Sequence, residues 1–222
     1  MANLYPFIAE MKTMLTNLDR WLGAAEEHAN TKKAEPDTLI LARLALDQYP
    51  LVKQVQSACD SAKFAAARLT GKEAPAHPDD EKTYAEVRAR VTKVTTYLDS
   101  FSEKDFEGAE TRKVPLPFVP GGNKGALGAD YLVYFAQPNF YFHLVHAYAI
   151  LRHNGVSLGK MDFIGAMPPS NSGKATIIVA STGSSPRGSA CHWSSVWNST
   201  GCAVTYGTSS FASMVSAAAL SL

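Results

Sequence analysis

Cysteine is scarce in this 222-residue chain. Cys59, Cys191 and Cys202 are the only three, and neither CxxC nor zinc-finger spacing occurs. That argues against a thiolate metal module and against a disulfide framework. Cys59 falls in a helical pattern and reads as a small buried hydrophobe, while Cys191 and Cys202 have a spacing that allows a pair without requiring one. Net charge is also small, +1 from 21 basic and 20 acidic side chains. Nothing in that balance favours nucleic acid or an anionic membrane. No apolar run reaches the roughly 18–20 residues a membrane-spanning helix needs. The N-terminus, Met1-Ala2-Asn3-Leu4-Tyr5-Pro6, lacks a signal pattern, and acidic Glu10 interrupts the apolar run behind it. The expectation is a soluble cytoplasmic protein with no nucleic-acid and no membrane partner. What the chain has in quantity is apolar side chains, 46% of the total, enough for a sizeable core.

Acidic residues disappear altogether after Met167, where serine, threonine, glycine and alanine take over. This break divides the chain into a domain at 1–167 and a tail at 168–222, the latter expected to be poorly ordered. Residues 175–180 there could form a strand and 211–222 a weak apolar helix. Asn171-Ser172-Gly173-Lys174 has a superficial similarity to a phosphate loop without the required spacing. Asn198-Ser199-Thr200 matches a glycosylation pattern that is silent without secretion.

Before the break, apolar residues recur at helical intervals. Leu4, Phe7, Ile8, Met11, Leu15, Leu18 and Leu22 mark a first helix over about 4–30. Pro36 opens a short second segment. A long helix follows to about Leu69, with Gly71 as its stop and Pro50 either starting or kinking it. Ala58, Ala62, Ala65, Ala66 and Ala67 permit close packing on it. Asp79 or Asp80 can cap a third helix over about 81–101. The Pro- and Gly-rich stretch 107–123 reads as an extended excursion or small hairpin. A fourth helical region spans about 130–154, bent or divided at Pro138 and ended by Gly155. Four helices with one long connection predict an all-α fold, a four-helix bundle.

The fourth region carries His143, His146 and His153 in an aromatic, mostly apolar setting. A ring nitrogen on a buried helix needs a partner, because an unpaired buried polar group costs about 1–3 kcal/mol. Asn139 stands four residues before His143 and can share its face. Asp47, read as belonging to the second helix, is the candidate third member. A carboxylate with an imidazole would suit zinc, iron, nickel or manganese. A structural account competes: Asp47 bonds to the fourth helix and His143 is a satisfied core histidine. His146 reads as a core or surface residue, and His153 as a cation at a helix C-terminus. Tyr141 could turn a hydroxyl into a pocket, and Gln54 or Gln56 could reach inward to a polar network. No serine sits in a nucleophile-elbow motif.

Four stretches have a familiar pattern: Ala42-Arg43-Leu44-Ala45-Leu46-Asp47-Gln48-Tyr49-Pro50-Leu51, Gln54-Val55-Gln56, Pro138-Asn139-Phe140-Tyr141-Phe142-His143, and Ala149-Ile150-Leu151-Arg152-His153-Asn154-Gly155-Val156 followed by Leu158-Gly159-Lys160-Met161-Asp162-Phe163-Ile164-Gly165. Over residues 4–165 they resemble the family called domain of unknown function 1993, within the DinB/YfiT-like superfamily. The resemblance implies a DinB-like four-helix bundle, often dimeric. It also implies a divalent metal held by a histidine of the second helix and an HxxxH pair of the fourth, in some members serving thiol-dependent transferases or hydrolases. Here Asp47 stands near the second-helix position and Asn139-Phe140-Tyr141-Phe142-His143 replaces HxxxH, so the implied metal site is degenerate. Fold carries over better than function.

The leading expectation is a polar pocket between the second and fourth helices. Asp47 and His143 would be its acid/base or metal groups, and Asn139, Tyr141 and Gln56 would contact a small-molecule substrate. A divalent transition metal (Zn, Ni, Fe or Mn) is the implied cofactor. The alternative is a non-catalytic bundle that binds a small molecule or forms a homodimer, with the same residues as a structural network.

Overall fold

A computed structural model of the chain describes residues 3–116 and 125–166. Contacts divide the chain into two units, Met1–Pro169 and Ser170–Leu222. The expectations for the tail at 168–222, including its strand, helix, loop-like motif, glycosylation pattern, His192, Cys191 and Cys202, lie outside the described residues.

The first unit is the expected all-α bundle. Its helices are α1 (Tyr5–Thr31), α2 (Leu51–Thr70), α3 (Tyr84–Asp99) and α5 (Gln137–His153). Around the bundle, α2 packs on α5 and α3, and α1 packs on α3 and α5. Pro6 lies in the first turn of α1, where a missing N–H costs nothing. Ile8, Met11, Leu15, Leu18, Leu22 and Ala25 then bury one stripe, as the periodicity predicts, whereas Phe7, expected on that stripe, is exposed.

Pro50 begins α2 instead of kinking it. It occupies the N-cap with extended geometry, and Gly71 closes the helix at φ 74, in the left-handed region. Upstream, Pro36–Leu41 make a 3₁₀ turn and 42–50 an irregular loop. Ala58, Ala62, Ala65 and Ala66 are fully buried, so small side chains bring the neighbouring helices close to α2. Helix α3 is capped by Thr83, not by Asp79 or Asp80. Thr83 Oγ1 accepts from the Glu86 amide and the Glu86 carboxylate accepts from the Thr83 amide. Asp79 is instead drawn into ion pairs with Lys53 and Arg90.

The excursion forms a small hairpin, β1 (Lys113–Val114) pairing antiparallel with β2 (Ala126–Leu127). Gly128 follows at a point where a Cβ would sit 1.9 Å from the Ala109 carbonyl oxygen, which explains a glycine there. The fourth helical region is divided as Pro138 predicts. Helix α4 (Gly128–Tyr131) runs through a π-helical turn at Leu132–Ala136 into α5, with Pro138 in the first turn of α5. A wide π turn accommodates a proline that lacks an N–H and crowds the carbonyl one turn back.

The closing motif docks the end of this unit onto α1. Within it lies α6 (Lys160–Ile164), started by the Asp162 carboxylate accepting from the Gly159 amide at 2.6 Å. Trp21 Nε1 donates to the Asp162 carbonyl at 2.8 Å, Asn17 Nδ2 donates to the Phe163 and Ile164 carbonyls, and Phe163 stacks on Trp21. These contacts need several fixed residue types at fixed spacing, which is why the motif is recognisable.

Candidate functional site

Two hollows on the described surface stand out. The larger, about 360 Å³, lies between α1 and α3 and is bordered by an exposed Lys12–Asp99 ion pair. It contains neither histidine nor cysteine. The smaller, about 240 Å³, lies between α2 and the α4–α5 region and contains His143. From α2 come Ser57, Asp60, Ser61, Phe64 and Arg68. Their spacing of three or four residues places them on one helical face. Across from them stand Tyr131, Phe135, Asn139 and His143.

His143 is 9% exposed. Its Nδ1 lies 2.8 Å from Gln54 Oε1. The Gln54 amide nitrogen donates to the Tyr49 carbonyl at 3.2 Å, which orients the amide so that its oxygen faces the ring. Nδ1 must therefore carry the hydrogen, and Nε2 keeps its lone pair. Nε2 makes no hydrogen bond to a described residue and is not sealed from solvent. Burial, and secondarily His146, lowers the His143 pKa, so the neutral ring is favoured. One helical turn earlier, Asn139 Nδ2 donates to Ser61 Oγ at 2.7 Å, and Ser61 donates to the Ser57 carbonyl. His146 turns its Nδ1 to the Phe142 carbonyl at 2.6 Å.

Of the residues singled out in the sequence, His143 and Asn139 meet at this cleft and three do not. Asp47 lies in the loop before α2, exposed, with no hydrogen bond or ion pair to any described residue. The expected interior pairing of Asp47 with His143 is corrected: helix α2 starts at Leu51, too late to carry Asp47, and Gln54 takes the imidazole instead. Tyr141 points to α1, where its hydroxyl bonds the Glu10 carboxylate, and burial foremost raises its pKa. Gln56 is buried on another side of α2, donating to Glu81 at 2.6 Å. The cleft residues not foreseen are Ser57, Asp60, Ser61, Phe64, Arg68, Tyr131 and Phe135. The available signal was the polar repeat Ser57, Asp60/Ser61 and Arg68 in an otherwise alanine-rich helix.

The metal implied by the resemblance does not fit these donors. His143 offers a single nitrogen, Nε2, its Nδ1 being held by Gln54 as in many metal-ligating histidines, and Asn139 beside it offers only an amide, a weak ligand. Among the described residues, no three His, Cys, Asp or Glu side chains converge as a metal centre would require.

On the α3 side of α2 lies a network of a different kind. Arg90, 1% exposed, donates to Asp60 Oδ1 at 2.9 Å, to Glu81 at 2.9 Å, to Asp79 at 3.3 Å and to the Pro78 carbonyl at 3.0 Å. Buried Lys63 reaches the same Asp60 oxygen at 2.7 Å. Asp60 thus belongs to both the network and the cleft. Cys59 is fully buried beside them, as expected of a small hydrophobe, and burial pushes its thiol up to about 12, which makes it unreactive.

Among the described residues, no helix is long and apolar enough to cross a membrane. No curated protein matches the chain. It is similar to a solved protein described as a DinB family member protein from Shewanella denitrificans, with 47% identity over 74% of this chain and 93% of that one and a TM-score of 0.70. A family model described as Domain of unknown function (DUF1993) matches residues 5–164, most of the chain and nearly the whole helical bundle, so the chain belongs to that family and has a DinB-like fold.

Proposed function

We propose that this bundle binds a small molecule in the α2–α5 cleft, with His143 as its central polar group. One observation supports this reading: Nδ1 is fixed by Gln54 while Nε2 is left unpaired on a ring that is nine-tenths buried. A structural core histidine would be expected to use both nitrogens. A neutral imidazole with an accessible Nε2 accepts a hydrogen bond from a ligand hydroxyl, thiol or amine. If the ligand is a substrate, it can take that proton as a general base. Gln54 would hold the tautomer and the ring orientation. This function requires no metal.

The test is histidine-selective nitrogen NMR of the full chain at neutral pH, with metal analysis of the same sample. His143 is expected as the neutral Nδ1–H form. A protonated Nε2 would refute the assignment. Stoichiometric zinc, nickel, iron or manganese that disappears in His143→Ala would return the site to metal chemistry.

A second reading, self-association, has its own support. Val133, Tyr134, Phe142 and Val145 are exposed apolar residues on the π turn and α5, and Leu44, Leu46 and Tyr49 are exposed in the loop before α2. Exposed apolar side chains at this density are a common property of protein interfaces. Light scattering distinguishes a homodimer from a monomer, and Phe142→Glu should dissociate a dimer formed through α5.

A further inference from the structure

The hydrogen-bonding character of the cleft limits what can occupy it. Resting on the reading of the cleft as a ligand site, its open hydrogen-bonding atoms set the ligand's class. Asp60 spends Oδ1 on Arg90 and Lys63, leaving Oδ2 without a hydrogen bond. Asn139 spends Nδ2 on Ser61, leaving Oδ1 without one. His143 spends Nδ1 on Gln54, leaving Nε2. None of these atoms is sealed from solvent, and none of these residues has a further partner among the described ones. Neighbouring donors fix Asp60, and neighbouring acceptors fix Asn139 and His143, so that in each case an acceptor faces outward.

All three residues line the same cleft. Asn139 and His143 are one turn apart on α5, and Asp60 is next in sequence to Ser61, the partner of Asn139. This end of the cleft therefore offers one carboxylate oxygen, one amide oxygen and one imidazole nitrogen, all acceptors, beside the Ser57 hydroxyl, which can donate or accept. A ligand anion would meet the Asp60 carboxylate and two lone pairs.

Beyond this end the wall becomes aromatic. Phe64 lies one turn further along α2, and Tyr131 and Phe135 stack with centroids 6.0 Å apart. Arg68 stands eight residues from Asp60, about 12 Å along the helix axis. It lies over the Phe64 ring at 4.8 Å and donates to the Tyr131 hydroxyl at 3.1 Å. Its charge is thus held at the far end. A cleft of about 240 Å³ restricts the ligand to a small molecule.

We propose that the cleft recognises a primary ammonium group on a small apolar or aromatic body, its three N–H donors matched by Asp60 Oδ2, Asn139 Oδ1 and His143 Nε2. An ammonium carries three donors and no acceptor, the complement of this acceptor set. Charge assistance from Asp60 strengthens the bond, and the aromatic wall covers the remainder of the molecule.

Benzylamine, benzyl alcohol and benzoate serve as probes of equal size, titrated by NMR into the isotope-labelled full chain. Benzylamine is expected to bind best, with shifts confined to α2 and the α4–α5 region, including Tyr131 and Phe135. Asp60→Asn should weaken it about tenfold or more, as loss of a charged acceptor implies. That variant also disturbs Arg90, so Asn139→Leu, which leaves the Arg90 partners intact, is the second measurement and should weaken benzylamine while sparing the melting temperature. Benzoate binding in preference to benzylamine would overturn the amine class and keep the cleft as a ligand site. Zinc binding to the same residues, with benzylamine excluded, would also overturn it. Binding of none of the probes would remove the amine proposal, and the His143 tautomer would then decide separately whether the cleft reading survives.

Discussion

Helix α2 carries polar side chains on two faces, and the two are treated in opposite ways. Toward α3 it presents Gln56, Asp60 and Lys63, and all three join the cluster around Arg90, where three carboxylates and a backbone carbonyl surround one guanidinium. Toward α5 it presents Gln54, Ser61 and the outer oxygen of Asp60. There Gln54 and Ser61 are fully used, but Asp60 and the α5 residues they hold, His143 and Asn139, each keep one atom open. Apart from Gln56 Oε1 and Arg90 Nε, which are buried without a hydrogen bond, the groups on the α3 side find their partners inside the protein and contribute to structure. A polar group fixed from behind and open in front is prepared for something the chain does not supply. That contrast, more than the presence of histidine, is what supports the proposed ligand site on the α5 side.

The largest effect should come from the closed side. Arg90→Leu would leave Asp60, Glu81 and Asp79 without their shared cation and is expected to lower unfolding free energy by about 3–5 kcal/mol, the usual cost of removing one member of a buried ion cluster. Urea denaturation followed by circular dichroism measures this. A loss below about 1 kcal/mol, the range of surface pairs, would show that the network is not buried in solution and would erase the contrast between the two faces.

Sequence revealed the helices better than the contacts between their polar groups. The stripe on α1, the glycine stops at Gly71 and Gly155 and the interruption at Pro138 are local signals, each set by residues within a turn or two. The cap of α3 was misplaced because Asp79 is as good a capping residue as Thr83. What decides is Arg90, eleven residues away, together with Lys53, twenty-six away, both competing for the Asp79 carboxylate. Asn139 was foreseen as facing His143's side of the helix, but its partner Ser61 lies 78 positions earlier and has no local signature. Asp47 failed for a simpler reason: the helix was continued upstream through Pro50, which in fact begins it.

An intermediate effect should appear on the open side as a pH dependence. Burial lowers the pKa of His143 below the ordinary 6.5, and it lowers that of His77 as well. The unfolded chain then binds protons at a higher pH than the folded one. Stability is full above about 6.5 and falls as pH drops toward the folded-state values, by at most about 1.4 kcal/mol per pH unit for each group. Melting temperatures between pH 7.5 and 5 should therefore fall in the native chain and fall less in His143→Gln, where only His77 of this pair still contributes. An unchanged slope would mean that His143 titrates as if exposed, and the ring would no longer qualify as a fixed neutral acceptor.

The smallest effect is expected at Asp47, and it sharpens the comparison by its size. An exposed carboxylate with no described partner should tolerate replacement, and Asp47→Asn is expected to change stability by no more than about 0.5 kcal/mol. A double-mutant cycle with His143→Gln should give a coupling near zero, because the imidazole's fixed partner is Gln54. Gln54→Leu supplies the contrast: it strands Nδ1 in a buried position and should cost about 1–3 kcal/mol. A measurable Asp47–His143 coupling together with a harmless Gln54→Leu would reverse the assignment. The carboxylate of the loop would then be the group that orients the ring, and the histidine would have an acidic partner where the geometry now gives it an amide.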